Sequence, residues 1–206
     1  LMILSEKDKE LISKEIENLE KLSSTELVAV VTKRSGNYKL ASAMFAVFSL
    51  FFISFLLLLV SFKTAFELIQ IQLLVFIGIY VFSERFKSYF LKILPKNYKY
   101  QVASRNAHNQ FFNLQLHKTK SKQVIMFFVS FDEKFVEIVV DEEISKSIPN
   151  SHWQSIVDEF ISDIKDNQLL NGYIKAIVAC SSILIEKFPI KADDTNELQN
   201  NVIEVK

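Results

Sequence analysis

The spacing of hydrophobic positions changes along the chain, and each spacing predicts a different element. In residues 5–22 apolar side chains recur every three or four positions, and Ser5 with Asp8 has the pattern of a capping box, so an amphipathic helix is predicted. The run LVAVV at 27–31 is continuously apolar and largely β-branched, which is typical of a strand covered on both faces. No partner strand precedes the next apolar block, so its partners must come later in the chain.

The most apolar part of the chain predicts a membrane-spanning helix. Residues 40–62 are 23 positions without a charge, and a helix of this size is about 34 Å long, enough to cross a bilayer. A weaker run at 66–82 has Glu67 and two glutamines near its start, and is compatible with a second span, a buried soluble helix or a re-entrant segment. We favour a second span, because a lone first span would move the whole C-terminal half across the membrane, against the flanking charges.

Basic residues beside the spans predict the orientation of the chain. They lie before the first span, between the spans and after the second: Lys33, Arg34 and Lys39; Lys63; and Arg85, Lys87, Lys92, Lys96 and Lys99. Their distribution places both termini and the soluble domain in the cytoplasm, in a multi-pass protein of the inner (plasma) membrane. Residues 83–94 place aromatic and basic positions at helical spacing, which predicts an interfacial helix that continues the second span.

The rest of the chain predicts one soluble domain in two pieces, 1–38 and 100–190, followed by a tail at 191–206. Two apolar runs, 124–131 and 135–140, flank a short polar turn and are typical of an antiparallel hairpin. Helical spacing recurs in three further segments: 102–114, 150–164 and 172–187. This order predicts an α+β fold, a small sheet between helices, interrupted after its first strand by a two-helix transmembrane hairpin.

Composition narrows the class of protein. The 24 basic and 24 acidic residues balance, which argues against a nucleic-acid partner, because binding to phosphates requires an excess of clustered Lys and Arg. With only three Gly and three Pro, a glycine-rich phosphate loop is not expected. The single cysteine, Cys180, excludes a disulfide framework and a cysteine-based metal site; on an apolar helix it is more typical of a buried core residue than of a nucleophile.

Acidic residues offer the first candidates for chemistry. Asp132 and Glu133 occupy the predicted hairpin turn, and Asp141, Glu142 and Glu143 follow the next strand. Ca²⁺ and Mg²⁺ prefer several carboxylate oxygens on loops, so the second group is a candidate metal site. The two groups flank a strand and are about 20 Å apart, too far to share one ion. Ordinary roles as turn formers and a solvated strand end compete with a functional site; the same holds for two acids of the tail, Asp193 and Asp194.

The histidines are weaker candidates. His108 and His117 are nine residues apart, which turns them to opposite faces of a continuous helix, so they are not paired ligands. Together with Asp141, His117 is a weak catalytic candidate, as a general acid or phosphate contact; capping of a helix C-terminus competes with this role. His152 is predicted to begin a helix, with Trp153 as a core residue. No sequence signature of an established phosphatase mechanism is present.

Several segments, taken in order, resemble the bacterial membrane branch of the TPM domain family. They are Ile12 with ELVAVVTKRSGNYKLA, then ASRNAHNQFFNLQLHKT, QVIMFFVSFDEKFVEIVVDEEI, Trp153 and FPIKADDTNEL at 188–198. The resemblance implies an α/β/α sandwich around a small mixed sheet and a tail that folds back on the domain. It also implies metal binding at loop acids in some relatives. The family pattern keeps an acid with a nearby Gly at the strand end; here Asp141 fits, but Glu replaces the Gly.

The resemblance implies two functions. A plant relative involved in photosystem repair is described as an acid phosphatase, an animal relative modulates a receptor, and bacterial members occur beside membrane proteins of the LemA type. We therefore expect an inner-membrane protein that displays a cytoplasmic TPM-like domain as an interaction or assembly module, with other membrane proteins, such as those of the LemA type, or further copies of this chain as partners. The alternative is a membrane-anchored, metal-assisted phosphatase that uses Asp141. A transporter is disfavoured, because two spans with one acid, Glu67, offer little pathway.

Overall fold

A computed structural model describes residues 3–60, 64–191 and 195–205 of the chain. It divides into two compact units, one formed by Leu1–Ser35 with Tyr100–Lys206 and the other by Gly36–Lys99. Lys63 and the two tail acids, Asp193 and Asp194, lie outside the described residues.

The helices and strands follow the predicted order, with additions. They are α1 (Glu6–Glu20), β1 (Glu26–Thr32), α2 (Lys39–Val60), α3 (Ala65–Arg85), α4 (Lys87–Ile93), α5 (Lys96–Asn113), β2 (Val124–Ser130), β3 (Phe135–Val140), α6 (Glu142–Ser147), α7 (Ser151–Lys165), α8 (Leu169–Lys187) and β4 (Ile203–Val205). The capping box predicted at Ser5 and Asp8 is present at the start of α1. Short α6 and β4 were not predicted.

The sheet is small and mixed, which confirms the predicted α+β fold. Its strand order is β3-β2-β1-β4 among the described residues. β1 pairs parallel with β2 and with β4, whereas β2 and β3 form the predicted antiparallel hairpin. β1 and β2 are parallel partners that are far apart in sequence, because the second unit and α5 lie between them along the chain. Every residue of β1 is buried, as its continuous apolar run indicates.

Helices cover both faces of the sheet. Leu27, Ala29 and Val31 of β1 belong to one core cluster, together with side chains of α1, α7 and α8. The alternate positions Val28 and Val30 belong to a second cluster with α5. Because successive side chains of a strand point to opposite faces, this division is the period-two pattern of a sheet between two helical layers.

The tail from Thr195 onward contacts the same domain. Asn196 and Asn200 donate side-chain hydrogen bonds to Glu20. The carboxylate of Glu197 accepts hydrogen bonds from the backbone N–H groups of Lys120 and Ser121, at 3.0 and 3.4 Å. These contacts place β4 in register with β1, so the C-terminal residues complete the sheet.

The second unit is built around the two long apolar helices α2 and α3, which pack against each other. Most of their large hydrophobic side chains are exposed. Gln72 of α3 donates a hydrogen bond to Ser54 of α2 at 2.7 Å, and Ser54 donates to the carbonyl of Leu50. Glu67 forms a capping box with Thr64, so this acid lies in the first turn of α3.

Three helices of the described chain are long and apolar enough to cross a membrane: α2, α3 and α8. α8 differs from the other two because its apolar side is part of the domain core. Tyr173, Cys180 and Leu184 of α8 are fully buried, and the hydroxyl of Tyr173 donates to the carbonyl of Val30 in β1 at 2.8 Å. The length and composition of α8 are therefore explained by burial within the domain.

Candidate functional site

The strongest polar cluster lies where β1 and β2 end, because parallel strands finish at the same edge of a sheet. Arg34 follows β1 and Asp132 follows β2. Nη2 and Nε of Arg34 lie 2.6 and 3.1 Å from Oδ2 of Asp132. The backbone N–H groups of Phe131 and Asp132 donate to the carbonyls of Thr32 and Lys33. The two loops are thus joined by backbone hydrogen bonds and by an ion pair.

Glu133 lies deeper in the same cluster, with 3 % of its surface exposed. The hydroxyl of Ser130 donates to Oε2 of Glu133 at 2.6 Å, and the backbone N–H of Ser35 donates to Oε1 at 3.1 Å. The hydroxyl of Ser35 donates to that of Ser130 at 2.8 Å. We call Arg34, Ser35, Ser130, Asp132 and Glu133 the Arg34 cluster. Both of its carboxylates are compensated by partners within the chain.

The second acidic group, Asp141 to Glu143, lies at the other end of β3. Asp141 is the N-cap of α6, where its Oδ1 accepts from the N–H of Glu142 at 2.8 Å. Glu142 contacts Lys146 at 2.8 Å and Lys122 at 3.2 Å, and Glu143 contacts Lys146 at 3.1 Å. Hydrogen bonds from Lys146 first, and then from Lys122, lower the pKa of the Glu142 carboxyl. The three acids are brought together with two lysines.

These arrangements do not fit a divalent cation. The two acidic groups lie at opposite ends of β3, as expected from its length. Within the described ranges no group of three or more His, Cys, Asp or Glu side chains is placed to hold a metal ion. Oδ2 of Asp141 is buried without a hydrogen-bond partner in the described part of the chain, but a single free carboxylate oxygen is far fewer than the six to eight ligands that Ca²⁺ takes.

The weak catalytic candidate His117 follows α5 in a short 3₁₀ turn, Leu116–Lys118. Its ring centroid lies 5.1 Å from that of Phe112, and its Nδ1 is buried without a partner among the described residues. No hydrogen bond or ion pair joins His117 to Asp141 in residues 3–60, 64–191 and 195–205. The structure therefore does not combine the two candidates into one acid–base pair.

Sequence reasoning missed a polar group on β3. Glu137 lies between core residues on the face of the sheet that α5 covers, and accepts a hydrogen bond from the hydroxyl of Ser104 at 3.1 Å. Nε2 of His108 is 3.4 Å from the same oxygen. Burial raises the pKa of the Glu137 carboxyl. The signal was present in the sequence, because Glu137 is the one charged residue within the apolar strand FVEIVV.

The remaining candidates, His152, Trp153 and Cys180, lie on α7 and α8. Trp153 is buried as predicted, while His152 is exposed at the start of α7; both line a groove of about 430 Å³ between α7 and α8. Cys180 is fully buried, and burial raises the pKa of its thiol to about 12. At neutral pH this thiol is protonated, so it is a poor nucleophile.

The fold is thus a small mixed sheet with helices on both faces. Acidic residues lie at both ends of β3, where Asp132 pairs with Arg34 and Glu142 pairs with Lys146. Residues 91–183 match the model of a family described as the TPM domain. This match covers α5, β2, β3, α6, α7 and most of α8, which is less than half of the chain, so these elements are similar to a TPM domain. It begins after most of the second unit, so assignment to the membrane branch of the family stays a prediction.

A solved structure has a similar fold. The BA42 protein from the psychrophilic bacterium Bizionia argentinensis, determined by NMR, superposes with a TM-score of 0.59 and 17 % sequence identity. The alignment covers 98 % of this chain and 95 % of that chain. No curated protein matches the chain. At this identity the similarity supports the fold and carries no function.

Proposed function

We propose that the chain is an integral protein of the bacterial inner membrane, anchored by α2 and α3. Its TPM domain acts in the cytoplasm as an interaction or assembly module for other membrane proteins, with proteins of the LemA type as partners suggested by the family resemblance. The observation that carries the anchoring is the exposed apolar surface of the two helices.

The exposed apolar surface of α2 and α3 is larger than proteins surrounded by water usually present. Phe48, Phe51 and Phe52 of α2 each expose about two thirds of their surface, and α3 exposes Leu73, Leu74 and Ile77. Exposed apolar patches of this kind mark contact with a partner or a membrane. The 22 residues of α2 and the 21 of α3 make helices of about 32 Å, which match the hydrocarbon thickness of a bilayer.

The polar groups of the hairpin also support a lipid environment. Gln72 and Ser54 satisfy each other between the two helices, as polar side chains do in membrane bundles. Glu67 lies within the capping box that opens α3, at the end of the helix rather than in its middle. Among the described residues, the charged side chains of α2 and α3 all lie near the ends of the two helices.

The internal neutralisation of the loop acids supports a module that works by contact. Arg34 pairs with Asp132, and Lys122 and Lys146 pair with Glu142, while Asp141 caps α6. The groove between α7 and α8 offers a surface for a partner.

Extraction of membranes with alkaline carbonate tests the anchor. The full chain is expected to stay in the membrane pellet. A variant with Phe51→Lys and Phe52→Lys places two charges in the middle of α2 and is expected to be released, because each costs about 3 kcal/mol in a span. Release of the unmodified chain would contradict the proposal.

Two measurements on the full chain test the activity of the domain. Cross-linking in native membranes followed by purification is expected to recover defined membrane proteins. A phosphomonoesterase assay with Mg²⁺, Ca²⁺ or chelator is expected to show no metal-dependent turnover. Turnover that is lost in Asp141→Asn would contradict the interaction module and favour the phosphatase alternative.

A further inference from the structure

Basic and aromatic residues collect at one end of the second unit. Residues 83–99 contain five basic residues and one acid, Glu84. Gln72 contacts Ser54, and Phe90 just after α3 contacts Phe45 near the start of α2, so the two helices run antiparallel. The end of α3 and the start of α2, with Lys39, therefore lie at the same end of the hairpin. At the opposite end of the described hairpin, α3 begins with the Glu67 capping box.

The short helix α4 is folded back on this end of the hairpin. The backbone leaves helical geometry at Phe86, with φ −113° and ψ 51°, and α4 follows at once. Phe90 and Leu91 are buried, and the ring of Phe90 packs edge-on against Phe45 of α2 with centroids 5.7 Å apart. One side of α4 is therefore held by the unit itself.

The other side of α4 is exposed and carries aromatic, aliphatic and basic side chains. Tyr89 and Ile93 are 62 % and 58 % exposed, and Phe86 is also exposed. Lys92 places its Nζ 5.3 Å from the centre of the Tyr89 ring, and Lys87 lies 3.5 Å from Glu84. We call Phe86, Lys87, Tyr89, Lys92 and Ile93 the α4 surface.

This combination matches the boundary of a bilayer. Aromatic rings prefer the headgroup level, and lysines extend their charged ends from there toward water and lipid phosphates. A basic cluster next to a membrane span attracts anionic lipids by charge complementarity. A soluble partner would give no reason for the exposed aromatic residues to lie directly beside the end of an apolar span.

We propose that the α4 surface binds the headgroups of anionic phospholipids, with Lys87 and Lys92 at the phosphates and Tyr89 and Ile93 inserted beside them. The inference rests on the proposed membrane anchor and adds a lipid preference to it. Because five basic residues follow α3 and only Lys63 lies between the two helices in the sequence, the preference is assigned to one leaflet.

Reconstitution of the full chain in vesicles tests this binding. A fluorophore sensitive to polarity is attached at Ser88→Cys on α4, in a Cys180→Ala background. In phosphatidylcholine mixed with increasing phosphatidylglycerol, the label is expected to move to a less polar environment, and salt is expected to reverse the change. An identical signal in phosphatidylcholine with and without phosphatidylglycerol would overturn the inference.

Matched variants locate the binding surface. Lys87→Gln with Lys92→Gln is expected to lower the apparent affinity for phosphatidylglycerol vesicles, roughly fivefold for each lysine removed. Lys118→Gln with Lys120→Gln removes the same charge from the other unit and is expected to change nothing. An equal effect of both pairs would assign the response to net charge and overturn the proposed surface.

Flotation of the same vesicles separates the inference from the anchor on which it rests. A chain that floats with both kinds of vesicle but shows no lipid-dependent label signal contradicts the α4 surface alone. A chain that floats with neither contradicts the membrane anchor and the α4 surface together.

Discussion

Glu137 is a partly buried carboxyl within an apolar strand. Its Oε1 interacts with Ser104 and His108, while Oε2 is buried without a hydrogen-bond partner in the part of the chain that is described. Burial raises the pKa of this carboxyl, with Ser104 and His108 opposing the shift. The folded domain therefore binds a proton at Glu137 more tightly than the unfolded chain does.

This shift fixes the sign of a pH dependence. A raised pKa in the folded state gives stability that is fully present below the ordinary Glu pKa of about 4.3 and is lost as the pH rises through the folded value. The free energy of unfolding of the unmodified chain, relative to Glu137→Gln, is expected to fall as the pH rises from about 4 toward neutrality. Urea unfolding of the detergent-solubilised chain at a series of pH values measures this difference.

Glu142→Gln is the matched control, because its pKa is shifted in the opposite direction. Lys146 and Lys122 lower the pKa of Glu142, so its contribution is present above the ordinary Glu pKa and is lost as the pH falls through the folded value. A difference between Glu137→Gln and the unmodified chain that does not depend on pH would contradict the account of Glu137.

Arg34 is expected to stabilise the domain through its ion pair with Asp132. In Arg34→Gln the Asp132 carboxylate, whose side chain is only 11 % exposed, loses both hydrogen bonds from the guanidinium, and we expect a loss of about 1–3 kcal/mol. Lys21→Gln removes the exposed ion pair with Glu17 and is expected to lower the free energy of unfolding much less, because solvent screens this pair. Equal losses in denaturant unfolding would contradict the importance of the Arg34 cluster.

Divalent cations are expected to leave the stability of the chain unchanged. Any ligand that binds only the folded state raises the melting temperature as its concentration exceeds its Kd, but Asp132, Glu142 and Glu143 are already paired with Arg34, Lys122 and Lys146. Glu133 and Asp141 accept hydrogen bonds within the chain. Thermal unfolding with Ca²⁺, Mg²⁺ or a chelator tests this expectation. A saturable rise in melting temperature with Ca²⁺ would show a metal site and contradict the pairing.

At the scale of elements, the packing of α7 on α8 depends on Gly172. A Cβ at this position would lie 2.4 and 2.5 Å from ring carbons of Phe160, which is itself buried. Gly172→Ala is therefore expected to lower the free energy of unfolding by about 1–3 kcal/mol, since the ring must shift in a filled core. Gly78→Ala in α3 is the control, because nothing lies within 4 Å of its Cβ position. Equal melting temperatures for both variants would contradict this packing.

Local patterns in the sequence predict most of the elements, but not those that depend on distant partners. The capping box of α1, the buried run of β1 and the β2–β3 hairpin are local and were predicted correctly. α6 has only six residues and depends on the burial of Ile144 and Ile148. β4 has three residues and becomes a strand only by pairing with β1. Neither carries enough periodicity to be recognised alone.

The candidate site was less predictable for the same reason. The acids of the loops could be identified, but their charge partners could not, since Arg34 precedes Asp132 by 98 residues and meets it only when β1 pairs with β2. A carboxylate alone in the sequence suggests a metal ligand, whereas beside an arginine it is part of an ion pair. The folded partner, rather than the acid itself, decides which role is available.

At the scale of the whole molecule, zero net charge is an average over parts with different chemistry. α2 contains one charge, Lys39 at its start, and the segment after α3 is strongly basic, while acidic residues of the domain balance it. Many of the phenylalanines divide in the same way, between exposed positions of α2 and α3 and buried positions of the sheet and its covering helices, such as Phe127, Phe128 and Phe160. A domain with a mixed sheet and two helices apolar enough to cross a membrane are thus combined in one chain.

The most direct test of this account is the sidedness of the chain in bacterial membranes. Single cysteines are introduced at Ala65→Cys, at the start of α3, and Asn109→Cys, on the exposed side of α5, in a Cys180→Ala background. A membrane-impermeant thiol reagent applied to intact spheroplasts is expected to label position 65, and to label position 109 only after permeabilisation. Labelling of both positions in intact spheroplasts, or of position 109 alone, would contradict a two-span anchor with a cytoplasmic TPM domain.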